Sequence, residues 1–152
     1  MMRLERAHLG YVFRDKTRRQ LMVAMSEGEK SLEFQRLEFL GDSVIEVMTI
    51  YTARKILLKL KKESKPEILH SIKVVVLSNE GLARMFIFHK LHRFLRIDTF
   101  SQSQIRDISL YIQSLNFDQP FKDLWWTTDI PAPKILGDSM EALCGALFLD
   151  GG

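Results

Sequence analysis

Residues 36–47 read RLEFLGDSVIEV, and two acids, Glu38 and Asp42, interrupt an otherwise apolar run. A helix that only had to pack would carry Leu or Ala at those positions. The two acids are four residues apart, so they share one helix face, one turn apart. Around them Leu37, Leu40, Val44, Val47, Met48 and Tyr51 recur at steps of three and four. This spacing predicts a core-facing stripe on a long helix from about Leu32 to Lys61, with the acids on its buried side.

Working outward, the helix decays into KLKKESK and stops before Pro66, which can open the next helix at its first position. That helix carries Ile68, Ile72, Val75 and Val76 and runs to about Leu77; VVVL is β-branched but lies inside its period. Ser78 or Asn79 caps the following segment, EGLARMFIFHKLHRFL. A further helix covers roughly Gln102–Leu115. Upstream, a short segment ends at Gly10, and Asp15 can cap a helix bearing Leu21, Met22 and Met25. Downstream, NFDQPFKDLWWTTDIPAP has no period and reads as a surface excursion, in which Trp125 and Trp126 either anchor the loop or meet a partner. KILGDSMEALCGALFLD is a last helix, closed by Gly151 and Gly152. The expected class is all-α, one domain over residues 1–152, with about seven helices.

Composition sets outer bounds. The chain is 46% hydrophobic and 27% charged, with net charge +3, a mild excess that permits a polyanionic partner without demanding one. The single cysteine, Cys144, excludes an internal disulfide and reads as a buried small hydrophobe. No apolar run approaches the ~18 residues of a bilayer span, and MMRLERAHLG lacks the apolar core of a signal peptide. A soluble, intracellular protein, cytoplasmic or nuclear and without a membrane partner, is expected.

A second acid pair, Asp138 and Glu141, lies on the last helix at a spacing of three, again on one face. Gly41 flanks the first pair; Gly137, Ala142 and Gly145 flank the second, and such small residues let helices approach closely. Periodicity does not say whether the two helices cross at these points. If they do, four carboxylates converge, and burial of unpaired charge costs several kcal/mol each. Protonation or a hard divalent cation would relieve this, and an all-oxygen set suits Mg²⁺ or Mn²⁺. Such a set holds one or two ions about 4 Å apart, activating water for in-line displacement at phosphorus. The other reading of each pair is a solvated polar face.

QRLEFLGDSVIE closely resembles the signature helix of the ribonuclease III family, and GDSMEALCGALFLDGG resembles that family's second catalytic helix. LGYVFRDKTRRQLMVAMS and LSNEGLARMFIFHKL are similar to its first helices and its middle, so the likeness spans nearly the whole chain. The resemblance implies an all-helical nuclease domain that dimerises across the signature helix. It implies Glu38, Asp42, Asp138 and Glu141 as catalytic ligands of Mg²⁺ or Mn²⁺, and double-stranded RNA as substrate. It implies products with a 5′-phosphate, a 3′-hydroxyl and a two-nucleotide 3′ overhang. Phe39 matches an apolar residue inserted into the partner subunit, the alternative being core packing. Gln35 looks like the second ribonuclease III domain of Dicer proteins, as does PAPKILGD, which sets Lys134 four residues before Asp138. Lys134 would then stand beside the catalytic acids, or else be a solvated helix-end charge. Asn79 matches a family asparagine near the site, but locally reads as a helix cap.

The resemblance also implies a fragment, lacking the family's final helix and any double-stranded-RNA-binding domain. Its partner would be a second copy or another ribonuclease III domain, across Gln35 and Phe39. Arg54, Lys55, Lys59, Lys61 and Lys62 form one basic run, and Arg84, His89, Lys90, His92, Arg93 and Arg96 another. Either can contact the phosphates of an A-form duplex or be a solvated face. His89 and His92 share a helix face and could in principle bind zinc, but no Cys or further His lies nearby in sequence. Two rival readings are a catalytically silent scaffold or RNA-binding module of the same fold, and a stand-alone small ribonuclease III.

Overall fold

Ser31 starts the long helix: its side-chain oxygen accepts a hydrogen bond from the Phe34 N–H at 3.1 Å, satisfying one of the donors left open at a helix N-terminus. The computed structural model describes residues 4–26, 31–95, 99–114 and 131–152. These form α1 (Arg18–Ala24), α2 (Leu32–Lys59), α3 (Pro66–Val76), α4 (Asn79–Phe88), α5 (Thr99–Ser114) and α6 (Lys134–Gly151). A π-type turn at Glu5–Leu9 and a 3₁₀ turn at Leu91–Phe94 complete them, and no strand occurs among the described residues. The excursion with Trp125 and Trp126, and Arg96, lie outside the described residues.

Several ends are set by local chemistry. The first turn stops at Gly10, whose φ of 62° is left-handed. Lys61 has φ 53° just after α2, and Pro66 takes the first turn of α3, where its missing N–H costs nothing. Other ends differ from expectation. Thr17, not Asp15, precedes α1, and Asp15 instead accepts from Arg18 at 2.8 Å. The segment 79–94 is not one helix: Lys90, at φ 59°, separates α4 from the turn Leu91–Phe94.

The core gathers Phe34 and Leu37 of α2, Phe86 and Ile87 of α4, Ile105 and Ile108 of α5, and Leu136 and Leu143 of α6. The expected stripe on α2 reaches it only in part. Leu37 is buried, but Val47, Met48 and Tyr51 are exposed. The reason is length: 28 residues of helix extend about 42 Å, so the second half overhangs the core. α3 packs along it, and α3 buries none of its own residues.

The chain ends are tied together. Asp150, buried at the end of α6, accepts from the Tyr11 and Thr17 hydroxyls and from the backbone N–H and Nε of Arg14, at 3.2 and 3.1 Å. Burial would raise its pKa, but the bonds from Tyr11 and Arg14 hold the carboxyl below its ordinary range. Glu5, also buried, accepts from the Phe13 N–H at 2.9 Å and lies 3.6 Å from Arg18 Nε.

The closest approach joins α2 to α6. A Cβ added at Gly41 would stand 1.7 Å from the Glu141 carbonyl oxygen, and one added at Gly145 would stand 2.2 Å from that of Leu37. Backbone therefore meets backbone, and no larger residue fits without moving a helix. On helix propensity alone, Gly→Ala would stabilise by about 1 kcal/mol. The expected result is the opposite sign. Gly41→Ala and Gly145→Ala each lose about 2 kcal/mol or more in urea unfolding followed by circular dichroism.

Candidate active site

The α2–α6 crossing brings the two acid pairs to one place. Carboxylate oxygens of Glu38, Asp138 and Glu141 lie within 4.8 Å of one another. Asp42 stands outside that triad but lines the same open cleft, about 540 Å³ in volume, together with Lys134, Gln35 and Phe39. Phe34 and Ile135 complete its wall. The expected burial needs correction here: Glu38, Asp138 and Glu141 are half-buried, whereas Asp42 is exposed. The acids occupy the rim of the core, where the two helices part enough to admit solvent. An acid on an apolar helix is tolerated because its tip reaches this cleft.

Electrostatics follow from the crowding. Glu141 is pushed up to about 7, by burial first and then by the charges of Asp42, Asp138 and Glu38; Lys134 opposes them. Lys134, the first residue of α6, donates to Asp138 across one helical turn at 2.5 Å. That bond raises the ammonium pKa; burial opposes it, and the charges of Asp138, Glu38 and Glu141 add to it. One cation against four acids leaves the cleft negative. All four acids offer oxygen, and among the described residues neither imidazole nor thiolate lines the cleft. The donor set fits a hard divalent cation such as Mg²⁺ or Mn²⁺.

Residues around the cleft separate into those the sequence indicated and those it did not. Ser78, not Asn79, caps α4, accepting from the Gly81 N–H at 3.0 Å. Asn79 turns to α6 instead: a Cβ on Gly137 would meet its Oδ1 at 2.3 Å, one residue before Asp138. The better-placed serine was the sequence signal for this. Glu80 was missed. It accepts from the Ala132 N–H at 3.2 Å, holding the backbone that enters α6. It also pairs with Arg84 at 3.2 Å. Arg84 is buried and so is not part of a basic surface, which corrects the second basic run.

Arg54, Lys55, Lys59, Lys61 and Lys62 are all exposed, at the overhanging end of α2 and just beyond it. Lys55 Nζ sits 4.7 Å from the centre of the Tyr51 ring. Among the described residues His89 and His92 belong to no cluster of three potential metal-binding side chains, whereas Glu38, Asp138 and Glu141 form one. Cys144 is half-buried with its thiol pushed up to about 11, by burial and then by Glu141, which fits an inert packing residue.

Residues 35–152 match the profile of the Ribonuclease III domain family. The chain belongs to the ribonuclease III family. It is 32% identical over 154 residues to Endoribonuclease Dicer homolog 1 of Arabidopsis thaliana, covering 98% of this chain and 8% of that protein. It is 29% identical over 155 residues to Endoribonuclease Dcr-1 of Drosophila melanogaster, covering 93% of this chain and 7% of that protein. The chain thus spans under a tenth of these relatives. A solved nuclease domain of ribonuclease III from Campylobacter jejuni, described for flexibility in its dimer-forming region, has the same fold. Its TM-score is 0.63 at 23% identity, covering 99% of this chain and 85% of that one. No helix among the described residues is long and apolar enough to cross a membrane.

The crowding of Glu141 has a measurable sign. The folded chain holds a proton on Glu141 up to about pH 7, whereas its ordinary value is 4.5. Its contribution to stability is therefore full below pH 4.5 and is lost as pH rises through 7. In buffer with EDTA, the thermal midpoint should fall between pH 5 and 8, and Glu141→Gln should flatten that slope. Adding Mg²⁺ at pH 8 should restore the midpoint of the unsubstituted chain and leave Glu141→Gln less affected.

Proposed function

We propose that this chain is a divalent-metal-dependent endoribonuclease domain of Dicer type that cleaves double-stranded RNA. The observation that carries the reading is the convergence of Glu38, Asp138 and Glu141 within 4.8 Å beside Asp42, in a chain of the ribonuclease III family. Glu38, Asp42, Asp138 and Glu141 would hold Mg²⁺ or Mn²⁺. When bound, the cation polarises a phosphoryl oxygen and lowers the pKa of water.

The chain's own side chains account for the rest. The four acids, left negative by one lysine, would hold the cation, with Glu141 in its charged form. Lys134, kept protonated by Asp138, presents an ammonium at the cleft to charge developing on phosphate. The open cleft admits a backbone rather than enclosing a small molecule. Arg54, Lys55, Lys59, Lys61 and Lys62 extend a positive surface along the overhang of α2, suited to a duplex recognised by shape and phosphate. Gln35 and Lys134 favour the second ribonuclease III domain of a Dicer chain over the first.

One acid cluster cuts one strand, so cutting both needs two domains. The exposed face of α2 supplies the means: Phe39 is 79% exposed, followed by Val47, Met48 and Tyr51. Apolar area of this kind favours association with a second copy or another ribonuclease III domain. Two offset cuts then leave a 5′-phosphate, a 3′-hydroxyl and a two-nucleotide 3′ overhang.

The test is incubation with long duplex RNA. Cleavage is expected in Mg²⁺ and absent in EDTA. Glu38→Gln or Asp138→Asn should lower the rate by about a hundredfold or more, and Lys134→Ala by about tenfold to a hundredfold. Intact RNA with the unsubstituted chain would favour the scaffold reading. Separately, Phe39→Asp with Met48→Asp should convert dimer to monomer in sedimentation velocity without lowering the thermal midpoint, since both side chains are exposed.

A further inference from the structure

A second concavity, of about 340 Å³, lies where the turn Leu91–Phe94 meets α5. It shares no residue with the acid cleft. Leu95 and Ile105, both buried, form its floor, and His92, Arg93, Arg106 and Ser109 stand around it. Among the described residues no acid lines it. Arg106 and Ser109 are three residues apart on α5, so they share a face, while Arg93 and His92 come from the opposing turn.

The charge of this hollow needs explaining. Arg93 and Arg106 are exposed and form no ion pair among the described residues, so two guanidiniums face one hollow without a counter-charge. His92, half-buried, forms part of the same wall.

We propose that this concavity is a phosphate-binding pocket. The guanidiniums of Arg93 and Arg106 and the Ser109 hydroxyl donate to the non-bridging oxygens of one phosphate group, beside the His92 ring. A tetrahedral anion can accept from donors on two separate elements at once, and guanidinium forks match its oxygens. The phosphate comes either from an RNA backbone or from a free phosphate or nucleotide. The pocket does not depend on the cleavage reading, because its residues and charge are separate from the acid cleft.

The whole chain is titrated in EDTA, so that cleavage plays no part, with inorganic phosphate and with a short RNA duplex. Calorimetry is followed for the unsubstituted chain, for Arg93→Ala/Arg106→Ala, and for Lys16→Ala/Lys65→Ala, both exposed, as a control on general charge. The His92 imidazole signals in NMR report on the pocket without any substitution. Inorganic phosphate should shift those signals, and the arginine variant should bind it about tenfold or more weakly. If the ligand is an RNA backbone, the arginine variant also loses duplex affinity, and its log–log salt slope becomes shallower by about 1. If the duplex binds unchanged while phosphate binding falls, the ligand is a free phosphate or nucleotide. His92 signals unmoved by phosphate, or an arginine variant that binds phosphate like the unsubstituted chain, would overturn the pocket.

Discussion

The contact on which the rest depends is backbone against backbone at Gly41 and Gly145. Two helices at this separation cannot keep their flanking side chains apart. Glu38 and Asp42 lie on either side of Gly41 in sequence, and Glu141 provides the carbonyl that Gly41 touches. The acids therefore converge because the helices do. The convergence is unfavourable in itself, and the raised pKa of Glu141 is its signature. Leu37, Leu136 and Leu143, buried nearby, hold the helices together against that repulsion. Stabilising energy from apolar burial is thus used to maintain a locally unfavourable cluster, a common arrangement where a protein binds a cation.

The long helix α2 distributes three kinds of surface along one rigid rod. Its first turns hold Phe34 and Leu37 in the core and Glu38 at the cleft. Its middle exposes Val47, Met48 and Tyr51, and its end carries Arg54, Lys55 and Lys59. Because these segments share one backbone, their relative positions are fixed by helix geometry rather than by loops.

Much of this was legible in the sequence wherever the cause is local. Gly10 and Pro66 mark ends because their backbone chemistry leaves few alternatives. The pairing of Glu38 with Asp42 and of Asp138 with Glu141 follows from helical spacing. Their meeting does not; it was suggested by resemblance to a family, since spacing within one helix says nothing about another. The apolar stripe of α2 was read correctly as a face and incorrectly as a core. Periodicity identifies which side is apolar, not what covers it, and Val47 and Met48 are left uncovered. Arg84 is the converse: a charge that looked solvated is buried because Glu80 meets it. Asp150 gave no signal at all, since its partners lie at the other end of the chain.

That last tie has a consequence for how the molecule comes into being. Arg14 and Asp150 are separated by 136 residues, and the acid-bearing helices by nearly the whole fold. A ribosome releases the N-terminal helices first, and closing so long a loop carries an entropic cost that only finished packing repays. While the residues between α2 and α6 are being made, Glu38 and Asp42 await the acids of α6. The complete acid cluster therefore assembles only once α6 has emerged and docked onto Tyr11, Arg14 and Thr17.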